Sequence, residues 1–397
     1  MRIFRHDFCV EIGSGCLQGR ADRYRIAGMK RPTETELAQS LPATVPFVGP
    51  EAIERQTGKA FAARLGANES VFGPSPRVLE AIRAAADEAW MYGDPESYEL
   101  RHALAANLGI QPGEVVVGEG IDGLLGYAVR LFVGPGDRVV TSDGAYPTFN
   151  YHVAGFGGEL IKVPYVEDRE DPESLVAAAR EHRAKMIYFA NPDNPMGSWH
   201  SAATIEAMIE GLPEGCLLIL DEAYVEFAPK DAVPEVAIAD PRVIRMRTFS
   251  KAHGLAGMRV GYAFGQADNI RSFEKIRNHF GMSRVSQAAA LAAIFDTEWV
   301  EEVRRRVEAS RDRISDIARS NGLTPLPSAT NFVTIDCGRD GAYARAVLDG
   351  LVSSGVFVRM PFAEPGNRCI RVSAGAPADL DIFEQMLPIA LAKAQGG

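Results

Sequence analysis

The chain has 397 residues, of which 46% are hydrophobic and 24% are charged, and its formal net charge at pH 7 is -10. The apolar content excludes a disordered protein, and the length exceeds what one core of ordinary size needs, so two domains are expected. The negative charge disfavours a nucleic-acid partner, because phosphate backbones repel an acidic surface.

The beginning of the chain carries neither a good signal peptide nor an apolar run near the ~18 residues of a membrane span. Asp7 and Glu11 interrupt its first apolar stretch, and Met29 offers an alternative start. We therefore expect residues 1–28 to be an extension, either disordered or not native, and assign them no function. The five cysteines are scattered without a C-x-x-C pair, which is typical of reduced thiols in a cytoplasmic protein.

The first regular helix is predicted to begin at Pro76, because Ser75 can cap it and proline suits the first helical position. We expect residues 29–74, before it, to form an arm that joins a smaller domain. Apolar strands then recur, with helix-like segments between most of them: E-V-V-V at 114–117, R-V-V-T at 138–141, K-M-I-Y-F-A at 185–190, C-L-L-I-L at 216–220, V-I-R-M at 243–246 and V-G-Y-A-F at 260–264. The alternation predicts a large α/β domain with a mostly parallel sheet over residues 75–283.

The pattern changes after about residue 283. A long helical stretch is predicted over roughly 284–320, with charged residues along one side. Shorter strand and helix patterns follow it, namely N-F-V-T-I-D, Y-A-R-A-V-L-D-G-L-V, V-F-V-R and R-C-I-R-V, and then a last helix. Residues 284–397 are therefore predicted to form a smaller α+β domain.

A literal G-x-G-x-x-G runs from Gly118 to Gly123, directly after the strand E-V-V-V. It can be a dinucleotide fingerprint, since Asp137 lies about twenty residues further on, as that motif requires. It can equally be a cup for a single phosphate, because backbone N–H groups at a helix start bind phosphate in either case. The motif alone leaves both interpretations open.

A carboxylate, Asp221, ends the strongly apolar strand C-L-L-I-L and begins the string D-E-A-Y. A carboxylate held against a low-dielectric sheet needs a cationic partner, and a protonated pyridine nitrogen is one. The alternatives are a helix-capping aspartate and a metal ligand, but no His or Cys cluster accompanies it and no metal is expected. The turn N-P-D-N-P-M-G, upstream, is a second polar segment placed directly after a strand.

The segment from Thr248 to Arg259 follows one strand and precedes another. Lys251 lies in it among small and hydroxyl residues, where burial can lower a lysine pKa and turn the neutral amine into a nucleophile. Thr248, Ser250 and Arg259 supply donors that suit a phosphate. A lone Ser-Lys pair is usually a surface turn, but the full string S-K-x-x-G-L-x-G-x-R is far more specific.

These strings together resemble the motifs of fold type I aminotransferases of class I/II, which depend on pyridoxal phosphate (PLP), and especially the histidinol-phosphate aminotransferase branch. The resemblance covers roughly residues 42–395. It implies an α/β PLP-transferase fold, in which helices flank a mostly parallel mixed sheet and a smaller α+β domain is attached. It also implies PLP as cofactor and a homodimer with a shared active site.

The resemblance assigns roles residue by residue. Lys251 would be the Schiff-base lysine, Asp221 would contact the ring nitrogen, and Tyr224 and Asn194 would hydrogen-bond the O3′ oxygen. The remaining cofactor contacts would be the phosphate cup, its hydroxyl and guanidinium donors, and a tyrosine stacked on the ring: Gly120, Ile121, Asp122, Thr248, Ser250, Arg259 and Tyr146.

Tyr92, in W-M-Y-G-D, resembles the family's tyrosine that reaches the phosphate of the neighbouring subunit, although Gly93 stands where the family usually has proline. On the substrate side, Arg371 would hold the α-carboxylate and Asn68 would line the pocket. Arg359 lies where the histidinol-phosphate branch keeps a phosphate-binding arginine. Phe47 falls where that branch usually has a tyrosine.

The implied reaction moves an amino group between a small amino acid or amino-alcohol phosphate and a 2-oxo acid such as 2-oxoglutarate. The donor would be histidinol phosphate or an aromatic amino acid. A PLP-dependent lyase of the threonine-phosphate decarboxylase type shares these motifs and remains an alternative. More remote alternatives are a nicotinamide-dependent oxidoreductase, based on the G-x-G-x-x-G string, and a non-catalytic sensor built on the same domain.

Overall fold

The computed structural model describes residues 31–43 and 48–395, and the chain divides into two compact units, residues 1–42 and 43–397. The predictions for residues 1–28 and for Phe47 lie outside the described residues.

In the first unit, helix α1 spans Glu36–Ser40. Thr35 caps it, because its hydroxyl oxygen accepts a hydrogen bond from the Ala38 N–H at 3.2 Å.

The helices and strands of the second unit alternate along most of its length. The helices are α2 (Pro50–Thr57), α3 (Pro76–Ala86), α4 (Tyr98–Leu108), α5 (Gly120–Phe132), α6 (Pro147–Gly155), α7 (Pro172–His182), α8 (Ala202–Glu210), α9 (Ala267–Ser272), α10 (Arg284–Ile294), α11 (Thr297–Ser320), α12 (Gly341–Ser353) and α13 (Pro377–Gln395). The strands are β1 (Ala63–Arg64), β2 (Val115–Gly118), β3 (Arg138–Ser142), β4 (Glu159–Val163), β5 (Met186–Ala190), β6 (Leu217–Asp221), β7 (Val243–Thr248), β8 (Gly261–Gly265), β9 (Thr324–Pro325), β10 (Phe332–Asp336), β11 (Val356–Phe357) and β12 (Cys369–Ser373).

A seven-stranded sheet has the order β2-β8-β7-β6-β5-β3-β4. Strand β8 runs antiparallel to both of its neighbours, and the other neighbouring pairs are parallel. A three-stranded antiparallel sheet has the order β12-β10-β9, and β1 pairs with β11 in a parallel two-stranded sheet. The prediction of a mostly parallel sheet flanked by helices, with a smaller α+β part, is confirmed; the domain boundaries stay a prediction.

Two details differ from the sequence-based expectation. The helical stretch predicted over 284–320 is two helices, α10 and α11, separated at Phe295 and Asp296. The break has a local cause, because the Asp296 carboxylate accepts a hydrogen bond from the Trp299 N–H at 3.3 Å and so starts a new helix. Strand β4 was not predicted, because its exposed lysine and glutamate and half-buried apolar residues conceal its pattern.

The seven-stranded sheet is buried on both faces. One face packs its apolar side chains with α5 and α6, and the other packs with α7 and α8. All five residues of β5 and of β6 are buried, which explains why both segments read as continuous apolar runs. The carboxyl ends of β2, β3, β5, β6 and β7 lie at one edge of the sheet, where ligands bind in open α/β sheets.

In residues 31–43 and 48–395, no helix is long and apolar enough to cross a membrane.

Candidate active site

An anion cup forms where β2 ends and α5 begins. Gly120 has a φ of +78°, and a Cβ atom there would lie 2.4 Å from Nη2 of Arg259. A Cβ atom at Gly261 would lie 2.8 Å from the Gly120 carbonyl carbon, so the two backbones approach too closely for any side chain. Glu119, before the helix, makes no side-chain cap, which leaves the first N–H groups of α5 available to an anion.

Hydroxyl and guanidinium donors stand beside this cup. The Thr248 hydroxyl donates to the Ser250 hydroxyl at 2.9 Å, and both side chains are buried. Arg259 places Nη1 3.5 Å from the Ser250 hydroxyl oxygen and Nη2 3.5 Å from the carbonyl of Glu119. The structure thus brings together Gly120, Thr248, Ser250 and Arg259, and their donors suit a phosphate group.

Lys251 is half-buried at the same edge of the sheet. Its Nζ donates a hydrogen bond to the Asn68 carbonyl at 3.1 Å and lies 5.4 Å from the centre of the Tyr224 ring. Asn68 is 2% exposed, and its Nδ2 donates to the Tyr224 hydroxyl at 3.2 Å. Three of the predicted residues, Lys251, Tyr224 and Asn68, are therefore direct neighbours.

Asp221 ends β6 and is 5% exposed. Its Oδ2 accepts a hydrogen bond from the Tyr188 hydroxyl at 2.7 Å, and its Oδ1 accepts one from the Ala223 N–H at 2.9 Å. Burial raises the pKa of the Asp221 carboxyl to about 6, and these two hydrogen bonds partly oppose that effect. In the described part of the chain, Asp221 has no ion-pair partner, so this buried carboxylate suits a cationic ligand.

The neighbouring carboxylate, Glu222, has a different environment. It is 1% exposed and pairs with Arg245 at 2.5 Å and with Arg247 at 2.8 Å. These two guanidinium groups outweigh its burial and lower the pKa of Glu222. The charge of Glu222 is therefore compensated by arginines of the protein. Asp221, beside it, has no such partner among the described residues.

Tyr146 lies between β3 and α6, at the same edge. Its hydroxyl donates to Oδ1 of Asp122 at 2.8 Å, so the side chain is fixed beside the start of α5. Burial, and then the Asp122 carboxylate, raise the pKa of Tyr146 well above its usual range and keep the phenol neutral. The third member of the predicted cup, Ile121, is 7% exposed and packs into the core beneath it.

Arg371, in β12 of the smaller sheet, reaches this edge from the other side. Its Nη1 donates to Oδ1 of Asn194, and its Nη2 donates to the Gly66 carbonyl at 3.2 Å. Its Nε is buried without a hydrogen-bond partner in the described structure, and burial lowers the pKa of the guanidinium to about 10. A half-buried arginine that has no carboxylate partner among the described residues is suited to an anionic ligand.

Arg359 is the backbone neighbour of Arg371. Each donates its N–H to the carbonyl of the other, at 3.2 and 2.6 Å, in an antiparallel bridge. The Arg359 Nη2 donates to the Val48 carbonyl at 2.7 Å, and burial lowers the pKa of this guanidinium. The guanidinium side chains of Arg359, two residues after β11, and of Arg371, in β12, are therefore carried on neighbouring backbone segments.

Tyr92 is the one described candidate that this chain does not bring into the cluster. It is 78% exposed and packs against Phe280, with ring centroids 5.0 Å apart. A Cβ atom at Gly93 would lie 2.5 Å from the Met282 carbonyl oxygen, which explains why glycine replaces the family's usual proline. The departure from the motif at Gly93 thus has a packing reason.

Several residues that contact the candidates were not predicted. Tyr188 donates to Asp221, Ser373 donates its hydroxyl to Oδ1 of Asn68 at 2.8 Å, and Asn331 donates its Nδ2 to the Asn68 carbonyl at 3.0 Å. A signal existed for Tyr188, since it lies two residues before the end of β5 and so shares a sheet face with the strand end. For Ser373 and Asn331 no local pattern pointed to Asn68, which is more than 260 positions away.

Comparison with known proteins identifies relatives over most of the chain. The family model described as aminotransferase class I and II matches residues 63–386. Histidinol-phosphate aminotransferase 1 of Mesorhizobium japonicum is 34% identical over 356 residues, which cover 88% of this chain and 95% of that protein. The histidinol-phosphate aminotransferase of Moorella thermoacetica is 31% identical, over 94% of this chain and 96% of that protein.

Comparison with solved structures leads to the same family as the comparison of sequences. The histidinol-phosphate aminotransferase of Sinorhizobium meliloti, crystallised with pyridoxal-5′-phosphate, is 55% identical with a TM-score of 0.89, covering 91% of this chain and 98% of that one. A single mutant of the Thermus thermophilus aspartate aminotransferase has a TM-score of 0.77 at 22% identity, over 91% of this chain and 100% of that one, and shows the same fold. The fold class predicted from the motifs is confirmed, and the chain belongs to the aminotransferase class I and II family.

Proposed function

We propose that this chain is a PLP-dependent aminotransferase that uses Lys251 to hold its cofactor. One observation carries the proposal: the Lys251 amine lies against Tyr224 and Asn68 at the sheet edge where β6 ends in Asp221, which has no ion pair among the described residues. An amine, an uncompensated carboxylate and an anion cup are what a cationic ring bearing an aldehyde and a phosphate requires. The Sinorhizobium meliloti relative, which binds this cofactor, supports the assignment.

The residues present fit the cofactor. The cup at Gly120 has no room for a side chain but has uncapped N–H groups, and Arg259, Ser250 and Thr248 surround it with donors for the phosphate. Asp221 would hold the proton on the ring nitrogen, and Tyr146, fixed by Asp122, would cover the ring. When bound, PLP stabilises negative charge at the substrate Cα atom.

The chain's own groups would then carry out the proton transfer. The Lys251 amine would act first as general base and remove the proton from the substrate Cα. It would then act as general acid and deliver this proton to the former aldehyde carbon of the cofactor. Tyr224 and Asn194 would hydrogen-bond the ring oxygen. Arg371, which lacks a carboxylate partner in the described structure, would orient the substrate through its anionic end.

We propose histidinol phosphate as the amino donor and 2-oxoglutarate as the acceptor. The two guanidinium groups of Arg359 and Arg371 would face the donor's phosphate in one half-reaction and the acceptor's two carboxylates in the other. The names of the relatives from Mesorhizobium japonicum and Sinorhizobium meliloti support this donor. An aromatic amino acid is the second candidate, since Phe47 lacks the hydroxyl usual in the branch and Phe362 is 54% exposed near Arg359 in sequence.

A donor screen tests the reaction. Purified holoenzyme with 2-oxoglutarate is expected to form glutamate fastest from histidinol phosphate, with phenylalanine slower. Release of CO₂ without glutamate would instead establish the lyase alternative. A nicotinamide-dependent activity without bound PLP would revive the oxidoreductase interpretation of G-x-G-x-x-G, which the family assignment disfavours.

We further propose a cytoplasmic homodimer in which Tyr92 reaches the phosphate of the partner's site. Trp90 (81%), Tyr92 (78%) and Phe280 (54%) are strongly exposed, and exposed aromatic patches of this kind mark protein interfaces. Cys216, Cys337 and Cys369 are free thiols, consistent with a reducing compartment.

Mixing two inactive variants, Lys251→Ala and Tyr92→Ala, tests the shared site. If Tyr92 acts across the interface, each mixed dimer regains one complete site, and the mixture recovers activity that neither variant has alone. A mixture that stays as inactive as its parents, in dimers shown to exchange subunits, would place Tyr92 outside the partner's site.

A further inference from the structure

A buried tyrosine on the next strand supports the carboxylate of the proposed site. Tyr188 lies in β5, is 0% exposed, and donates its hydroxyl hydrogen to Oδ2 of Asp221 at 2.7 Å. In the sheet register Ala190 lies opposite Asp221 and Tyr188 lies opposite Ile219, so the Tyr188 and Asp221 side chains are on the same face. The contact therefore follows from the sheet itself.

The Tyr188 ring has a fixed position. It stacks on Phe149 of α6, with ring centroids 4.6 Å apart and an interplanar angle of 19°, and Phe149 is also 0% exposed. Phe149 is three residues after Tyr146, the residue proposed to cover the cofactor ring. Because both rings are fully buried in close packing, the hydroxyl stays directed at the carboxylate.

The charges around Asp221 make this hydroxyl important. Asp122 and Glu222 act electrostatically on Asp221, and Glu170 and Tyr146 act on Tyr188; each of these groups is acidic or neutral. The charge on Glu222 is compensated by its two arginines, but Asp221 has no such partner in the described residues. The Tyr188 hydroxyl and the Ala223 N–H are the donors that stabilise its ionised form.

We propose that Tyr188 is a positioning residue for amino transfer, whose hydroxyl holds Asp221 in the orientation and the ionised form that pairing with the cofactor's ring nitrogen needs. The inference rests on the proposed function. Tyr188 itself would touch neither substrate nor cofactor, and its effect would pass through Asp221.

The consequence for pH has a definite sign. Burial raises the pKa of Asp221 to about 6, and the Tyr188 hydrogen bond lowers it. Removal of the hydroxyl raises this pKa further, so that at pH 7 more of the carboxyl is protonated and unable to pair with a cationic ring. The affinity for the cofactor falls as the carboxylate is protonated. When the pH is lowered, the variant therefore loses affinity at a higher pH than the wild type does.

The test is the affinity of the apoprotein for PLP between pH 5 and 9, followed by the visible absorption of the bound cofactor. Tyr188→Phe is expected to move the acidic limb of the affinity profile upward by about one pH unit, which weakens binding roughly tenfold at pH 5 but only about twofold at pH 7. Tyr165→Phe is the matched control, because Tyr165 is also buried and donates to a buried carboxylate, Asp193, at 2.9 Å. Its profile is expected to follow the wild type.

The inference is overturned if the Tyr188→Phe profile superimposes on that of the wild type, or if Tyr165→Phe moves it equally. A second comparison removes the concern that Tyr188→Phe acts through folding. In an Asp221→Asn background, adding Tyr188→Phe is expected to change the affinity at pH 5 less than twofold, and an undiminished tenfold loss there contradicts the proposal. Failure of the wild type to bind PLP would refute the proposed function, a result distinguishable from either outcome.

Discussion

The proposed cofactor side and the proposed substrate side of this site are built differently. On the cofactor side, the candidates follow successive strands of one sheet, and Lys251, Asp221 and Tyr146 each stand at or just beyond a strand end. On the substrate side, Arg371 meets Gly66 and Asn194, and Arg359 meets Val48, across more than 170 positions of sequence. One side is positioned by a single sheet and the other by distant segments that meet.

This difference determines what each side tolerates. A strand end in a sheet buried on both faces is held by neighbouring strands, so a change of one side chain there alters chemistry more than geometry. A contact between distant segments depends on every segment being in place, so loss of one donor or acceptor shifts its partners. We therefore expect changes on the cofactor side to affect the chemical step and changes on the substrate side to affect substrate affinity.

The largest effect is expected from Lys251→Ala, which removes the group that would carry the proton. The turnover number is expected to fall by roughly 10⁴-fold, the upper range for loss of a general acid–base group, with substrate affinity largely retained. Single-turnover absorbance measurements would separate the two quantities. Lys393→Ala, at an exposed lysine far along the chain, is the control and should react at the wild-type rate. If Lys251→Ala converted substrate at the wild-type rate, Lys251 would not carry the proton, and the proposed cofactor side would not govern the chemical step.

The same difference explains how much could be predicted from sequence. Strand ends can be recognised locally, and so patterns next to Asp221, Lys251 and the cup at Gly120 predicted all three as candidates. The buried Tyr188 was missed because a tyrosine in an apolar strand looks like core, and only the sheet register shows where its hydroxyl points. Contacts such as Asn331 with Asn68 arise from folding of distant segments, which no spacing records.

A second prediction concerns the stability of the apoprotein. The pKa of Asp221 is raised from 3.8 to about 6 by burial, so its effect on stability is favourable below the unfolded value and is lost as pH rises through 6. Asp221→Asn does not titrate. Between pH 4 and pH 8, the free energy of unfolding of the wild type should therefore fall by about 2.5 kcal/mol relative to that of the variant. Denaturant unfolding at both pH values measures this change, and a constant difference between the two proteins would show that the buried carboxyl is not perturbed.

On the substrate side, Arg371→Gln tests whether the uncompensated guanidinium binds the substrate's anionic end. Loss of a charge-assisted hydrogen bond is worth about 1.5–3 kcal/mol, so kcat/KM is expected to fall by roughly ten- to a hundredfold, mostly through KM. Arg313→Gln is the control, since Arg313 pairs with exposed Asp381 and Glu384 away from the site. An equal loss of kcat with unchanged KM would mean that the arginine acts in the chemical step, against the division of roles drawn between the two sides.

The smallest effect is expected where the two sides are joined. Arg368, three residues before Arg371, donates to both Asp168 oxygens at 3.0 and 2.8 Å and to Asp336 at 2.8 Å. Asp168 follows β4 of the large sheet and adopts a left-handed φ of 62°, whereas Asp336 ends β10 of the smaller sheet, next to β12. The first pair therefore spans the two sheets, and the second lies within one.

Asp168→Asn and Asp336→Asn remove one negative charge each from the same guanidinium. Each should lower the free energy of unfolding by about 1 kcal/mol, as expected for partly buried ion pairs. Because the Asp168 pair joins the two sheets and the Asp336 pair does not, Asp168→Asn should in addition raise KM about two- to fivefold, a loss of under 1 kcal/mol in substrate binding. Equal KM values for the two variants would show that substrate affinity does not depend on this contact between the sheets. The geometry of the proposed substrate side would then be as insensitive to the loss of one contact as that of the proposed cofactor side.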